Sequence, residues 1–309
     1  MKIAFLYAGQ GSQRAGMGAD FYSEYPEIRG IFGYSPLGVD LRSLCFGGEV
    51  SELSRTENTQ PCMGAYAAAV TELLYEAGIV PDYAAGLSLG EYSALYAAGA
   101  FGWRTLLDLL AFRGRVMAEA SEGVEFKMSA VRANDSAIVE RGVREIGGEV
   151  WVCNYNCPGQ TVIGGSRAAV EAAEARCMEL GARHCTALNV GGPFHTPLMR
   201  SASEKLVRYL DSTEFFPLQF PVISNVSGRE LSDGADIRGI LATQIMSPVR
   251  FESEIRTLAE LGADTIIEIG PGKVLSGFVK RTAPGIRTLS IDSAEELRKT
   301  IAELRGVEV

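Results

Sequence analysis

Histidine is scarce in this 309-residue chain: there are two, His184 and His195. Any chemistry that needs an imidazole has only these to choose from. Six cysteines, Cys45, Cys62, Cys153, Cys157, Cys177 and Cys185, form no C-x-x-C pair and no His-Cys cluster of zinc spacing. They read as small buried thiols of a reducing compartment, so a cytoplasmic protein without a metal site is expected. A basic excess is also missing, since 29 Lys and Arg stand against 38 Asp and Glu, a formal charge of −9. Nucleic acid and anionic membrane surfaces both call for a basic face, so neither is an expected partner. Long apolar runs are absent too. Ile3 to Ala8 ends at Gly9, too short for a secretory signal, and Tyr83 to Trp103 contains Glu91 and several glycines, which marks a core segment rather than a membrane span. There is no internal repeat, low-complexity tract or long linker.

What the chain does have is an ordinary globular composition, 47% hydrophobic and 22% charged, and length enough for one large domain or a large one with a small one. Its most informative stretch is Gly86-Leu87-Ser88-Leu89-Gly90, which fits G-x-S-x-G, the strand-to-helix elbow that holds a serine oxygen in the open. Ile79 to Ala85 predicts a buried strand before it, and Glu91 to Ala100 a helix after it. A glycine-rich turn with an idle serine is the bland alternative. The first strand, Ile3 to Tyr7, runs into Gly9-Gln10-Gly11-Ser12-Gln13; the dinucleotide pattern G-x-G-x-x-G fails because Arg14 stands at the third glycine. Asn58-Thr59-Gln60-Pro61 predicts the cap and start of a helix to about Ala77.

A helix from Trp103 places Trp103, Leu106, Leu107, Leu110, Gly114 and Met117 on one stripe, with Arg113 at its edge. An inward arginine needs an anion, and its planar fork suits a carboxylate; from this helix alone, a structural arginine paired internally or snorkelling outward is the better reading. From residue 127 the pattern changes: strands at 128–132, 149–155, 160–163 and 183–188 and helices at 135–146 and 166–180 give β-α-β-β-α-β. Strands near Val222 and at 265–269, with helices at 199–210, 251–261, 273–281 and 295–304, then resume the α/β alternation. The expected fold is therefore α/β: a larger α/β-hydrolase-like domain with a mostly parallel sheet, residues 1–126 and 190–309, interrupted by a ferredoxin-like subdomain, residues 127–189.

The return from that insertion, Val190-Gly191-Gly192-Pro193-Phe194-His195-Thr196-Pro197, puts His195 just ahead of a helix start signalled by Thr196 and Pro197. The positive end of that helix disfavours an imidazolium and leaves the ring able to take a proton from Ser88. His184, inside a predicted strand, is the other candidate. Attack on an acyl carbon needs donors for an oxyanion; the backbone N–H of Leu89 and that of Gln10 are placed to provide them. An inward Arg113 would select an acyl group ending in a carboxylate.

Ala8 to Gln13, Asn58 to Pro61, Gly86 to Glu91, Arg113 to Met117, Pro193-Phe194-His195 and Glu268-Ile269-Gly270-Pro271-Gly272 together resemble, in order along the chain, the malonyl-CoA:acyl-carrier-protein transacylase family. The resemblance implies a malonyl-serine intermediate at Ser88, with His195 as base, Gln10 in the oxyanion hole and Arg113 binding the malonyl carboxylate. It further implies that the backbone carbonyl of Gln244 orients His195, in place of a triad aspartate. Phe194 matches malonyl-selective members, whereas Leu87, Ala118 and Ala8 depart from the family's usual His, Gln and Pro; Leu87 adjoins the nucleophile and bears on acyl selectivity. Malonyl-CoA and the phosphopantetheine of an acyl carrier protein are then the expected substrates of a ping-pong transfer in fatty-acid biosynthesis, with no permanently bound cofactor and a monomer expected. Lys280 and Arg281 are candidates for the carrier-protein contact. Other readings are a serine thioesterase or esterase, a trans-acting acyltransferase of a polyketide synthase, and a non-catalytic carrier-binding module. The hydrolase fits less well, because the span between Ser88 and His195 is mostly the insertion and water as acceptor gives Arg113 no task.

Overall fold

A computed structural model of the protein describes residues 1–231 and 234–306. Among them are eight strands: β1 Ile3–Tyr7, β2 Tyr83–Gly86, β3 Phe126–Arg132, β4 Val150–Cys157, β5 Gln160–Ser166, β6 His184–Ala187, β7 Thr265–Ile269 and β8 Arg287–Ile291. They form two sheets. One is parallel, in the order β2-β1-β7-β8, and the other antiparallel, in the order β4-β5-β3-β6.

Every residue of β1 is buried, as expected of a central parallel strand covered on both faces. Tyr7 pairs with Gly86 on one side and Ile269 on the other, so the loops after β1, β2 and β7 leave from one end of the sheet. The carboxyl ends of parallel strands are where such sheets place their ligands. β2 starts at Tyr83 and not at Ile79. Pro81 has no N–H to give a ladder, and Asp82 is occupied at the strand's mouth, where its N–H donates to Ile3 O (2.7 Å) and its Oδ2 accepts from Ile3 N (2.7 Å). The strand expected near Val222 shrinks to a single parallel bridge to Ala84, flanked by Pro221 and the turn that follows Ser224. β8 had no counterpart in the sequence reading; its exposed and half-buried residues carry little apolar signal.

The long helix runs Thr56–Glu76, with Arg55 and not Asn58 at its cap and Pro61 inside it. Asn58 and Thr59 lie in its first turn and donate from their side chains to Glu52 O (2.9 Å) and Leu53 O (2.6 Å), which anchors the turn upstream of the proline.

In the antiparallel sheet the order strand, helix Ser136–Ile146, strand, strand, helix Arg167–Glu179, strand is as expected. Alternation along the strands divides its two faces. Val131, Val150 and Ile163 pack with Val139, Val170 and Cys177 under the two helices. Met128, Ala130, Cys153 and Val162 face the other way and join the core around the parallel sheet. β4 is also stitched to the segment after helix Ile237–Gln244: Tyr155 N donates to Val249 O (2.9 Å) and Val249 N to Cys153 O (2.8 Å). Five of the six cysteines are buried and all are free thiols. No described helix is long and apolar enough to cross a membrane.

Candidate active site

Ser88 stands two residues beyond the end of β2 and caps helix Leu89–Ala97, the strand-turn-helix context its motif requires. The conformational strain sits on the serine itself, at φ 56° and ψ −107°. Neither flanking glycine is left-handed; they are glycines because of space. A Cβ on Gly86 would lie 2.2 Å from Gly90 O, and one on Gly90 would lie 2.3 Å from Tyr7 O. Without side chains, the helix start presses directly against the end of β1.

The Ser88 Oγ lies 2.8 Å from His195 Nε2. On the far side of the ring, Nδ1 is 2.9 Å from the backbone carbonyl of Gln244, and a carbonyl can only accept, so Nδ1 carries the proton. Nε2 is left as an acceptor and the Ser88 hydroxyl donates to it. His195 is 4% exposed and has φ 62°. Burial, and next to it the Arg113 charge, push its pKa down to about 4, so the ring is neutral at physiological pH. The expected position ahead of a helix holds, through a three-residue 3-10 turn, Pro197–Met199, that leads into helix Arg200–Leu210. The cause of neutrality is burial beside a guanidinium rather than the helix end. His184 is exposed on β6, away from this cluster.

Arg113 is 1% exposed on helix Trp103–Glu119, not at the margin of an apolar stripe. Its Nη1 donates to Gln60 Oε1 (2.8 Å), and its Nη2 to Gln244 Oε1 (2.9 Å) and Ser88 Oγ (3.1 Å). The guanidinium stands 5.2 Å from the centre of the Tyr92 ring. All three acceptors are neutral, and among the described residues no carboxylate forms an ion pair with it. A buried cation is costly without a counter-charge, and this one is held facing the Ser88 hydroxyl with no carboxylate bonded to it.

These groups line a cavity of about 160 Å³ with Gly9, Gln10, Gln60, Leu87 and Phe194 on one side. Met128, Asn154, Asn156 and Val162 of the antiparallel sheet form the other wall. Gln10 donates from Nε2 to Thr56 Oγ1 (3.2 Å). The backbone N–H groups of Gln10 and Leu89 have no acceptor among the described residues. Lys280 and Arg281 are exposed; Arg281 reaches Cys157 Sγ and Gln160 Oε1, both at 3.4 Å. No group of His, Cys, Asp or Glu among the described residues has the arrangement of a metal site.

The structure thus brings together Ser88, His195, Arg113, Gln244, Gln10, Leu89 and Phe194. It adds residues that carry no task in the sequence analysis. Gln60 carries one arm of Arg113. Glu91, Asn225 and Glu254 lie fully buried below the elbow, and burial pushes the Glu91 carboxyl up to about 7. Glu91 had a visible signal, as the lone acid in the uncharged run from Tyr83 to Trp103; Asn225, in an irregular loop, had none.

A family model for the acyl transferase domain matches residues 4–298. The chain is 42% identical to the malonyl CoA-acyl carrier protein transacylase of Bacillus subtilis, over 98% of both proteins. The crystal structure of the malonyl CoA-acyl carrier protein transacylase of Clostridium perfringens superposes with a TM-score of 0.94 at 38% identity, over 99% of this chain and 98% of that one. A malonyl-transacylase solved in complex with a type II PKS acyl-carrier protein superposes equally well, TM-score 0.94 at 34% identity, over 98% and 100%. With the match running from the first strand to the last helix, the chain belongs to the malonyl-CoA:acyl-carrier-protein transacylase family.

Proposed function

We propose that the protein moves a malonyl group from malonyl-CoA to the phosphopantetheine thiol of an acyl carrier protein, by a ping-pong reaction through malonyl-Ser88. The observation that carries this reading is Arg113: a buried guanidinium, bonded only to neutral acceptors and 3.1 Å from the nucleophilic oxygen, calls for a substrate carboxylate. The Ser88 proton passes to His195 Nε2 as Oγ attacks the thioester carbonyl. The N–H groups of Leu89 and Gln10 receive the oxyanion, and its collapse expels the CoA sulfur, which takes the proton back from His195. In the second half the pantetheine thiol gives its proton to Nε2 and attacks the ester carbonyl, and collapse expels Ser88 Oγ, which takes that proton back from His195. The Gln244 carbonyl keeps Nδ1 protonated through both halves, the task an aspartate has in other serine enzymes. Phe194 and Leu87 bound the acyl group.

CoA and the carrier's pantetheine pass through as substrates, and the chemistry needs no resident cofactor. The supporting frame is an α/β-hydrolase-like domain of residues 1–126 and 190–309 with a ferredoxin-like subdomain, 127–189, inserted; the sheet order β4-β5-β3-β6 supports the second assignment. A cytoplasmic monomer acting in fatty-acid biosynthesis fits the free thiols and the negative charge. The test is to incubate the protein with malonyl-CoA and map the adduct by mass spectrometry. One malonyl group is expected on the peptide containing Ser88; if it forms at the native rate in His195→Ala, or survives Ser88→Ala, the assignment is wrong.

A further inference from the structure

The elbow's strained backbone is bridged from below by the side chain of Asn225. Asn225, fully buried, accepts from Ser88 N–H at Oδ1 (2.8 Å) and donates from Nδ2 to Gly86 O (2.7 Å). The two bonds bracket Leu87 and close the turn on which the Ser88 hydroxyl is displayed. Only a side chain with an acceptor and a donor on the same carbon does both: an aspartate lacks the donor, and a leucine of similar size lacks both. Asn225 is itself fixed on three sides. Its Nδ2 donates to Glu254 Oε1 (3.1 Å), its Oδ1 lies 3.3 Å from Gln244 Nε2, and its backbone N–H donates to Glu91 Oε1 (3.1 Å). Gln244 Nε2 in turn donates to Ser88 O (2.8 Å) and Glu91 Oε2 (2.7 Å). The peptide groups on both sides of the Ser88 Cα are therefore held by amide side chains, which are anchored on two buried carboxyl groups from different helices.

We propose that Asn225 is a positioning residue of the acyl-transfer reaction, its carboxamide fixing the Gly86–Ser88 turn so that Oγ stays aligned on His195. This rests on the reading of Ser88 as the nucleophile. A displacement of about 1 Å between reacting groups is enough to cost roughly a hundred-fold in rate, so a turn in a sparsely populated conformation needs such a clamp. Glu254 acts through Asn225, and Glu91 through Asn225 and Gln244; neither lines the cavity.

The test measures serine acylation by malonyl-CoA under rapid mixing in the full chain, with the burst amplitude counting the competent molecules. Asn225→Leu is expected to show a full burst formed roughly a hundred-fold more slowly, with KM for malonyl-CoA within about threefold of native. A burst at the native rate, whatever its amplitude, would mean that Asn225 serves folding only and overturns the proposal. Asn225→Asp and the double variant Asn225→Asp/Glu254→Gln cover the case in which Asn225→Leu does not fold. The double variant exchanges amide and carboxyl between the two side chains, and it should acylate several-fold faster than Asn225→Asp; absence of that recovery also overturns the proposal. Ser88→Ala, run in parallel, separates the two readings, since uptake of malonyl there would strike at the nucleophile and not at Asn225.

Discussion

Replacing Arg113 by alanine separates malonyl from acetyl transfer, and the size of the separation follows from its surroundings. The guanidinium is buried and bonded only to Gln60, Gln244 and Ser88 oxygens, so its charge is free for a carboxylate bound against Ser88. Without it a malonyl carboxylate is buried unpaired, which costs about 3 to 5 kcal/mol. At 1.36 kcal/mol per decade this is between roughly a hundred-fold and a few thousand-fold in kcat/KM. A second cost is shared by every acyl group: Gln60 and Gln244 each lose a donor, about 1 to 3 kcal/mol per orphaned acceptor. The diagnostic quantity is therefore the ratio of kcat/KM for malonyl-CoA to that for acetyl-CoA, measured by transfer to purified carrier protein. The ratio should fall by two decades or more in Arg113→Ala and by less in Arg113→Lys, which keeps the charge but loses the fork. An equal loss for both substrates would refute the pairing of this arginine with the acyl carboxylate.

The buried imidazole makes a pH prediction. With His195 held near 4 in the fold against its ordinary 6.5, the unfolded chain binds the extra proton between those values, so stability falls as pH drops through that window, by about 3 kcal/mol in all. Glu91, raised from 4.5 to about 7, acts in the opposite direction: its contribution is complete below pH 4.5 and is lost as pH rises to 7. Urea midpoints of Glu91→Gln should therefore climb more steeply from pH 4.5 to 6.5 than those of the native protein. Serine acylation in the same variant should keep its rate down to about pH 5, and an acid limb at 6.5 would contradict the buried neutral ring. Gly90→Ala should lower unfolding stability by about 1 to 3 kcal/mol or more, because its Cβ meets backbone at Tyr7 O. Gly277→Ala, with open space around it in helix Val274–Thr282, should gain about 0.5 to 1 kcal/mol in the same urea titration.

How much of this was legible beforehand depended on whether the signal was local. The element order in 127–189 was readable to within a few residues, because period-2 and period-3.6 patterns alternate there with short loops and the one proline, Pro158, falls in the turn between β4 and β5. Ser88 and His195 were readable as candidates because each sits in a short, rigid setting. β8 was not, since an edge strand with few buried side chains leaves no run to detect. Arg113 could be placed only near its stripe: its inward position depends on Gln60 and Gln244 acceptors 53 and 131 residues away. Asn225 was invisible for the same reason, its partners Gly86 and Ser88 being 139 and 137 residues distant.

Ser88, His195 and Arg113 all stand on the parallel-sheet side of the cavity, while Met128, Asn154, Asn156 and Val162 come from the antiparallel one. The lining of one cavity is thus shared between two substructures. Substitutions on the second wall can retune which acyl chains are admitted while the proton path from Oγ to Nε2 stays untouched, which gives descendants of this chain a way to change diet without relearning the chemistry.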